Sequence, residues 1–311
     1  MGVITLFFAC LQPLPTAAAP PKELRLRGLP QLTESSGVCI DDKGHIWTHN
    51  DSGDEAVLYG FDQQGQHRDT LRLTSTTAID WEDICLVRHA GRTWIAVGDI
   101  GDNGRSRKTV YIHIIECPAS NPAKEATASP RELKASPAAT IEFTYPGGPL
   151  DAESLCFDPI KMSFVIGSKE FVGCRLFEIP IGKLAIFQPS AKEPGKSQPV
   201  SNPTRITTRA SATETVAFPL ATGADISPDG KMLVLCGYGP GALVPRKQDT
   251  WETTAIRIFP LPKRRQGEAI CFLPDASSLL LTSELGPNPE SSETPLHVIA
   301  TPQVKPGKSP R

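Results

Sequence analysis

Five paired runs of apolar residues recur along the chain, each pair split by a short polar turn. The first runs are residues 36–40, 82–86, 153–157, 222–226 and 268–272. Each opens on a side-chain oxygen and closes on an aliphatic or aromatic residue. The turns that follow are Asp42-Lys43-Gly44, His89-Ala90-Gly91, Pro159-Ile160-Lys161, Pro228-Asp229-Gly230 and Pro274-Asp275-Ala276. Gly, Pro and Asp suit such turns. Second apolar runs at 45–48, 93–97, 163–166, 232–235 and 278–282 complete five β-hairpins of one design. Third strands are expected at 57–61, 109–114, 175–179, 254–258 and 296–300, and fourth strands at 70–73, 140–143 and 205–207. No segment carries an amphipathic helix of more than three turns.

Strands in groups of three or four, with no helices between them, predict an all-β fold: a five-bladed β-propeller, with six blades as the alternative. The isolated strand 23–26 is placed to close the ring against the last repeat. Segments 118–139 and 189–203, rich in Pro, Ala, Ser and Lys, read as surface loops inside blades two and three. The propeller domain is expected over 23–302, with a disordered basic tail at 303–311. Residues 1–19 read as a signal peptide, apolar over 3–14 and ending in Thr16-Ala17-Ala18-Ala19, although no Lys or Arg precedes Lys22. A secreted or periplasmic protein follows, with no membrane contact after signal removal, because the apolar stretch is too short to span a bilayer.

The 311 residues carry a formal net charge of -2. Without a basic excess there is no electrostatic footprint for nucleic acid. Of eight cysteines, Cys10 falls in the signal segment. Cys39, Cys85, Cys156 and Cys271 occupy one slot in four repeats. Packed sheets lie about 10 Å apart, and a disulfide needs Cα atoms within about 7 Å. These four therefore read as small buried hydrophobes. No Cys/His spacing suits zinc.

The first slot of each hairpin holds Ser36, Glu82, Glu153, Thr222 and Glu268. The first strand of every propeller blade lines the central channel, so these oxygens converge on one axis. Glu34, Asp80 and Asp151 sit two positions upstream, on the same strand side. Three carboxylates about 8 Å apart at an effective dielectric near 20 repel by about 2 kcal/mol per pair. A bound cation offsets this, and so does a wet or partly protonated channel. The donors are all hard oxygens, which suits Ca2+ with its six to eight ligands.

A second set follows the hairpins' second strands: His49, Asn50 and Asp51; Asp99, Asp102 and Asn103; Lys169 and Glu170; Tyr238; Glu284. These loops are expected over the channel mouth. Asp80, Asp99, Lys169 and Glu284 are candidate catalytic groups, with Glu82, Glu153 or Asp80 as the base. His49, Asn50, Asp51, Asp102, Arg105 and Arg107 are candidate ligand contacts, with Lys108, Arg246 and Lys247 as further cations for an anionic small molecule or phosphate ester. As turn residues, Asn, Asp and Gly have a purely structural reading too. The stretch Gly98-Asp99-Ile100-Gly101-Asp102-Asn103-Gly104 is no EF-hand loop, since Val110 stands where a Glu is required. Gly237-Tyr238-Gly239-Pro240-Gly241 opens no helix, which removes a dinucleotide cradle.

The series Ser36, Glu82, Glu153, Thr222 and Glu268 resembles the calcium-activated nucleotidases (soluble apyrases), whose five-bladed propellers hold a central calcium through Ser, Glu, Glu, Ser and Glu. The resemblance covers the layout of about residues 30–300 and implies calcium contacts at these five positions, with Thr222 replacing a Ser. The phrases Thr48-His49-Asn50-Asp51-Ser52-Gly53 and Asp80-Trp81-Glu82-Asp83-Ile84 look similar to secreted bacterial phytase-like propellers. The resulting expectation is a calcium-binding propeller that hydrolyses phosphorylated small molecules. Its alternatives are a non-catalytic extracellular scaffold and a lactonase- or esterase-like metal propeller, in which His49 is the one histidine placed to help.

Overall fold

The computed structural model describes residues 21–119, 129–187, 204–286 and 291–303. The expected signal segment, the loop expected at 189–203 and residues 304–311 of the expected tail lie outside them. The strands form five sheets, one per repeat. From the axis outward, blade 1 contains Ser35–Ile40, Ile46–Asn50, Val57–Phe61 and His67–Leu73. Blade 2 contains Trp81–His89, Arg92–Asp99, Val110–Glu116 and Ala139–Thr144. Blade 3 contains Ala152–Asp158, Ser163–Ser168, Cys174–Pro180 and Ser211–Val216. Blade 4 contains Ala221–Ile226, Met232–Gly237 and Gly241–Lys247, with Thr250–Trp251 and Arg257–Phe259 both on the third strand. Blade 5 contains Gln266–Phe272, Ser278–Glu284 and Thr294–Ala300, and Lys22–Leu26 closes it, Leu24 lying opposite Leu296. Each inner strand packs against the next, and the fifth against the first, so the ring has five blades. Among the described residues no helix is long and apolar enough to cross a membrane.

The blades are apolar on both faces because each is sandwiched between two others. In Trp81–His89, Ile84 and Leu86 pack with Trp47 and Leu58 of blade 1. The alternate residues Cys85 and Val87 pack with Leu155 and Phe157 of blade 3. Period-two alternation between two buried interfaces gives a nearly continuous apolar run. The cysteine slot always faces the following blade: Cys39, Cys85, Cys156 and Cys271 each lie in that interface as free thiols. In blade 4 the slot holds Asp225, whose carboxylate accepts from Phe272 N of blade 5 at 2.8 Å.

Three expectations are corrected. The third strand of blade 4 is Gly241–Lys247, and the start of the expected 254–258 strand falls in the 3-10 turn Thr253–Ala255. The chain reverses at once after Met232–Gly237, and a Cβ at Gly241 would sit 2.6 Å from the Phe259 ring. Residues 205–207 are not the fourth strand of a blade. They belong to Thr204–Arg209, a fifth strand running parallel to Ala139–Thr144 of blade 2. The loop expected at 118–139 likewise contains Arg131–Ala135, a parallel fifth strand on His67–Leu73 of blade 1. Two insertions thus reach back and strap the preceding blade. The first strap is pinned where Arg131 meets buried Asp69, which also contacts His45 at 3.0 Å.

At the axis the inner strands exchange hydrogen bonds through side chains. Ser36 Oγ donates to Glu82 O at 2.6 Å, and Thr222 Oγ1 donates to Gly267 O at 2.8 Å. Glycine follows each of these hydroxyls because the backbones approach closely. A Cβ on Gly37 would lie 2.7 Å from Ile84 N, and one on Gly223 2.6 Å from Glu268 O. Buried Asp83 accepts from Ile84 N, from Leu155 N of blade 3 and from Ala224 N of blade 4, at 2.9, 3.0 and 3.4 Å. Replacing Asp83 with Ala leaves three buried N–H groups without this acceptor, so the expected loss is about 3–5 kcal/mol. Cys85→Ala removes only a sulfur from an interface and is expected to lose about 1–2 kcal/mol. Urea unfolding of the two variants checks the difference, and equal losses would remove Asp83 as the axial brace.

Candidate cation site at the channel mouth

Antiparallel pairing puts the start of each inner strand beside the end of the second strand. The pairs are Ser35 with Asn50, Trp81 with Asp99, Ala152 with Ser168, Ala221 with Gly237 and Gln266 with Glu284. All five inner strands also break register at this end. The irregularities span Ser35/Val38, Trp81/Ile84, Ala152/Ser154, Ala221/Gly223 and Gly267/Ile270. Ser36, Glu82, Glu153, Thr222 and Glu268 all fall inside them. A bulge re-aims a side chain out of the alternation, which is how five positions escape the blade interfaces and turn to the mouth.

The side chains of the predicted ring take different partners. Ser36 and Thr222 direct their hydroxyls to neighbouring backbone carbonyls and serve as braces. Among the described residues, Asp51, Asp80 and Glu82 form a group with ligand oxygens within 4.8 Å of one another. Asp51 reaches it because its N–H donates to Glu34 O at 2.9 Å, folding the blade-1 loop back over the axis. Gly101 leaves the room, since a Cβ there would overlap Glu82 Oε1 and lie 2.6 Å from Asp80 Oδ2. Glu153 and Glu268 are buried around the same mouth, and Glu153 Oε2 and Glu268 Oε1 have no hydrogen-bond partner. Lys169 forms an ion pair with Glu153 Oε1 and lies 5.4 Å from the Tyr238 ring centroid.

Burial raises the carboxyl groups here, and mutual repulsion adds to it. Asp80 is pushed up to about 6 by desolvation and the Asp51 charge. Glu284 is pushed to about 7 by desolvation and then by Asp51 and Glu34. Desolvation carries Glu153 to about 7 against the pull of Lys169, and Glu268 to about 8 with help from Glu153. Glu82 lies well above its usual range, through desolvation and the Glu153 charge. Hard oxygen donors, two orphaned carboxylate oxygens and the Gly101 cradle together fit a divalent cation.

Several predicted contacts are structural. His49 is fully buried, donates from Nδ1 to Asn50 O at 2.7 Å, and is lowered to about 4 by desolvation. It lies under Gly37 and edge-on to Trp81. Asn50 is engaged at both ends, accepting from Thr33 N and Glu34 N and donating to Gln31 O and Asp54. Asp99 accepts from Ile79 N and Asp80 N and binds Arg107 at 2.6 Å, so it positions Asp80. Asp102 accepts from Ser106 N and Arg107 N within its own loop. Arg107 also donates to Gly101 O at 2.7 Å, holding the cradle. Arg105 is exposed at the tip of that loop. Arg246 pairs with Asp158 at the opposite end of the channel, because Gly241–Lys247 runs away from the mouth.

No protein-family model and no curated protein matches the chain. Among solved structures, a gluconolactonase from Xanthomonas campestris is 11% identical with a TM-score of 0.42, over 85% of this chain and 72% of that one. Hydrazine synthase from Kuenenia stuttgartiensis is 10% identical with a TM-score of 0.39, over 81% of this chain and 56% of that one.

The raised carboxyl groups set a pH dependence. Below their unfolded-state values near 4 both states are protonated and no cost arises. Above about pH 4 the unfolded state ionises these groups while the folded state keeps them protonated, so stability falls until the folded values of about 6 for Asp80, 7 for Glu153 and Glu284 and 8 for Glu268 are passed, and each cost is constant beyond. In chelator, the melting temperature is expected to drop by roughly 5–10 °C between pH 5 and 8.5. Millimolar calcium is expected to restore it at pH 8.5 and to change little at pH 5. Scanning calorimetry under the four conditions checks this.

Proposed function

We propose that the protein is a calcium-type, cation-dependent propeller hydrolase of a neutral carbonyl compound, an ester or lactone. The observation that carries this is the Asp51, Asp80 and Glu82 cluster beside the unpartnered oxygens of Glu153 and Glu268. Asp51, Asp80 and Glu82 would hold the cation, and the unpartnered oxygens of Glu153 and Glu268 would be available to it as further donors. A bound cation there supplies Lewis acidity to a substrate oxygen. Glu284, buried and raised to about 7, takes the proton of the attacking water. Lys169 fixes Glu153 by ion pairing, and Arg107 fixes Asp80 through Asp99.

Charge favours a neutral substrate over a phosphate ester. Glu34, Asp51, Asp80, Glu82, Asp151, Glu153, Glu268 and Glu284 share the mouth, and Lys169 is the cation paired within it. One divalent ion and one Lys leave this region short of the positive charge that a phosphate dianion needs. A carbonyl group brings no such charge. Phosphohydrolysis is the second reading, supported by Lys169 at the mouth. A calcium-binding scaffold without turnover is the third.

The readings separate in one assay panel of aryl esters, γ- and δ-lactones, nucleoside diphosphates and phytate, each with calcium and with chelator. Calcium-dependent turnover of the esters or lactones alone is the expected result; turnover of phosphate esters alone reverses the assignment. Two variants divide the roles. Glu284→Gln is expected to lower kcat by about 100-fold or more and keep the calcium-induced rise in melting temperature. Asp80→Asn is expected to lose both.

A further inference from the structure

Five large hydrophobic side chains are exposed among the described residues: Ile79, Ile160, Phe171, Val172 and Tyr238. Ile160 lies in the turn at the far end of blade 3. The other four share the face that carries the acidic mouth. Ile79 adjoins Asp80, Phe171 and Val172 follow Lys169 on the blade-3 loop, and Tyr238 leaves the second strand of blade 4. Phe171 and Val172 are 83% and 95% exposed.

The loop that presents them is pinned at its base. Lys169 N donates to Asp151 O at 3.1 Å, and Leu220 N donates to Glu170 O at 2.8 Å. The Glu170 carboxylate accepts from Ser168 Oγ at 2.9 Å and from Arg175 at 2.6 and 3.2 Å. The fold therefore holds two adjacent apolar side chains out in water, at a hydration cost that burial under a ligand would remove. The rim is also matched to the charge pattern. Blade 4 brings no carboxylate to the mouth, only Thr222 and Tyr238, and Lys169 neutralises the neighbouring Glu153. The side between blades 3 and 4 is thus the least negative sector.

We infer that Phe171, Val172 and Tyr238 receive the apolar acyl portion of the substrate, while its carbonyl group faces the acidic sector of blades 1, 2 and 5. This rests on the ester or lactone reading above and narrows it to substrates with a hydrocarbon chain. An isolated polar sugar acid would leave the rim uncovered.

The experiment compares wild type with the double variant Phe171→Ser, Val172→Ser on p-nitrophenyl acetate, butyrate, hexanoate and octanoate, in calcium. Full burial of a methylene is worth up to about fourfold in kcat/KM, and an open rim about twofold. Wild type is expected to gain about twofold per methylene, and the double variant to lose most of that slope. Equal slopes in the two proteins overturn the inference and leave the hydrolase reading intact. No turnover of any ester sinks the hydrolase reading instead. In that case Nile red, a neutral apolar dye, tests the rim alone: fluorescence enhancement lost in the double variant supports a small apolar ligand, and equal enhancement overturns it. Co-sedimentation with phosphatidylcholine vesicles, present in wild type and lost in the variant, would assign the rim to a bilayer and also overturn it.

Discussion

Five inner strands turn a free backbone edge toward one axis, where their N–H and C=O groups must find partners away from bulk water. This constraint shapes the sequence more than any other. The inner strands answer with one another's side chains: Asp83 across to blades 3 and 4, Asp225 to blade 5, Ser36 to blade 2 and Thr222 to blade 5. Thr282 adds the closing contact from blade 5 to the carbonyls of Ser35 and Ser36, at 3.3 Å each. Glycine at 37 and 223 is part of the same device, since a Cβ would force the braced backbones apart.

The acidic mouth is a consequence of that construction. The bulge at the start of each inner strand releases one side chain from the interface, and three of those five are glutamates. Desolvation at the axis raises them together, which stores a repulsion that a cation relieves. The carboxylates that burden the channel at alkaline pH are the groups that would hold a cation, so stability and cation binding would be coupled at one place.

Much of this was legible in the repeated hairpin pattern. Turn residues at fixed offsets and the shared cysteine slot revealed five blades, because every blade repeats the same two-faced burial. The ring positions were legible as convergent for the same reason. Their individual partners were not. Whether a mouth oxygen braces a backbone or faces the channel depends on the neighbouring blade, some 46 or more residues away in sequence. Ser36 and Glu82 occupy equivalent slots, yet one bonds a carbonyl and the other joins Asp51 and Asp80. His49 looked suited to chemistry by type and position, and burial beneath Gly37 removed it.

The straps follow the same division. Arg131–Ala135 and Thr204–Arg209 carry alternating exposed and half-buried positions; the first lay inside an apparent loop, and the second was legible as a strand at 205–207 but not as a strap on blade 2. Only the assembled ring offers the outer edges to which they pair in parallel. The sequence by itself determined the all-β repeat and its five equivalent hairpins, with five blades read ahead of six, because those depend on local periodicity and turn chemistry. Tertiary structure alone decided which of the mouth oxygens meet, which brace a backbone, and where an apolar rim borders the charge. Those outcomes depend on distances between blades, and no local pattern encodes them.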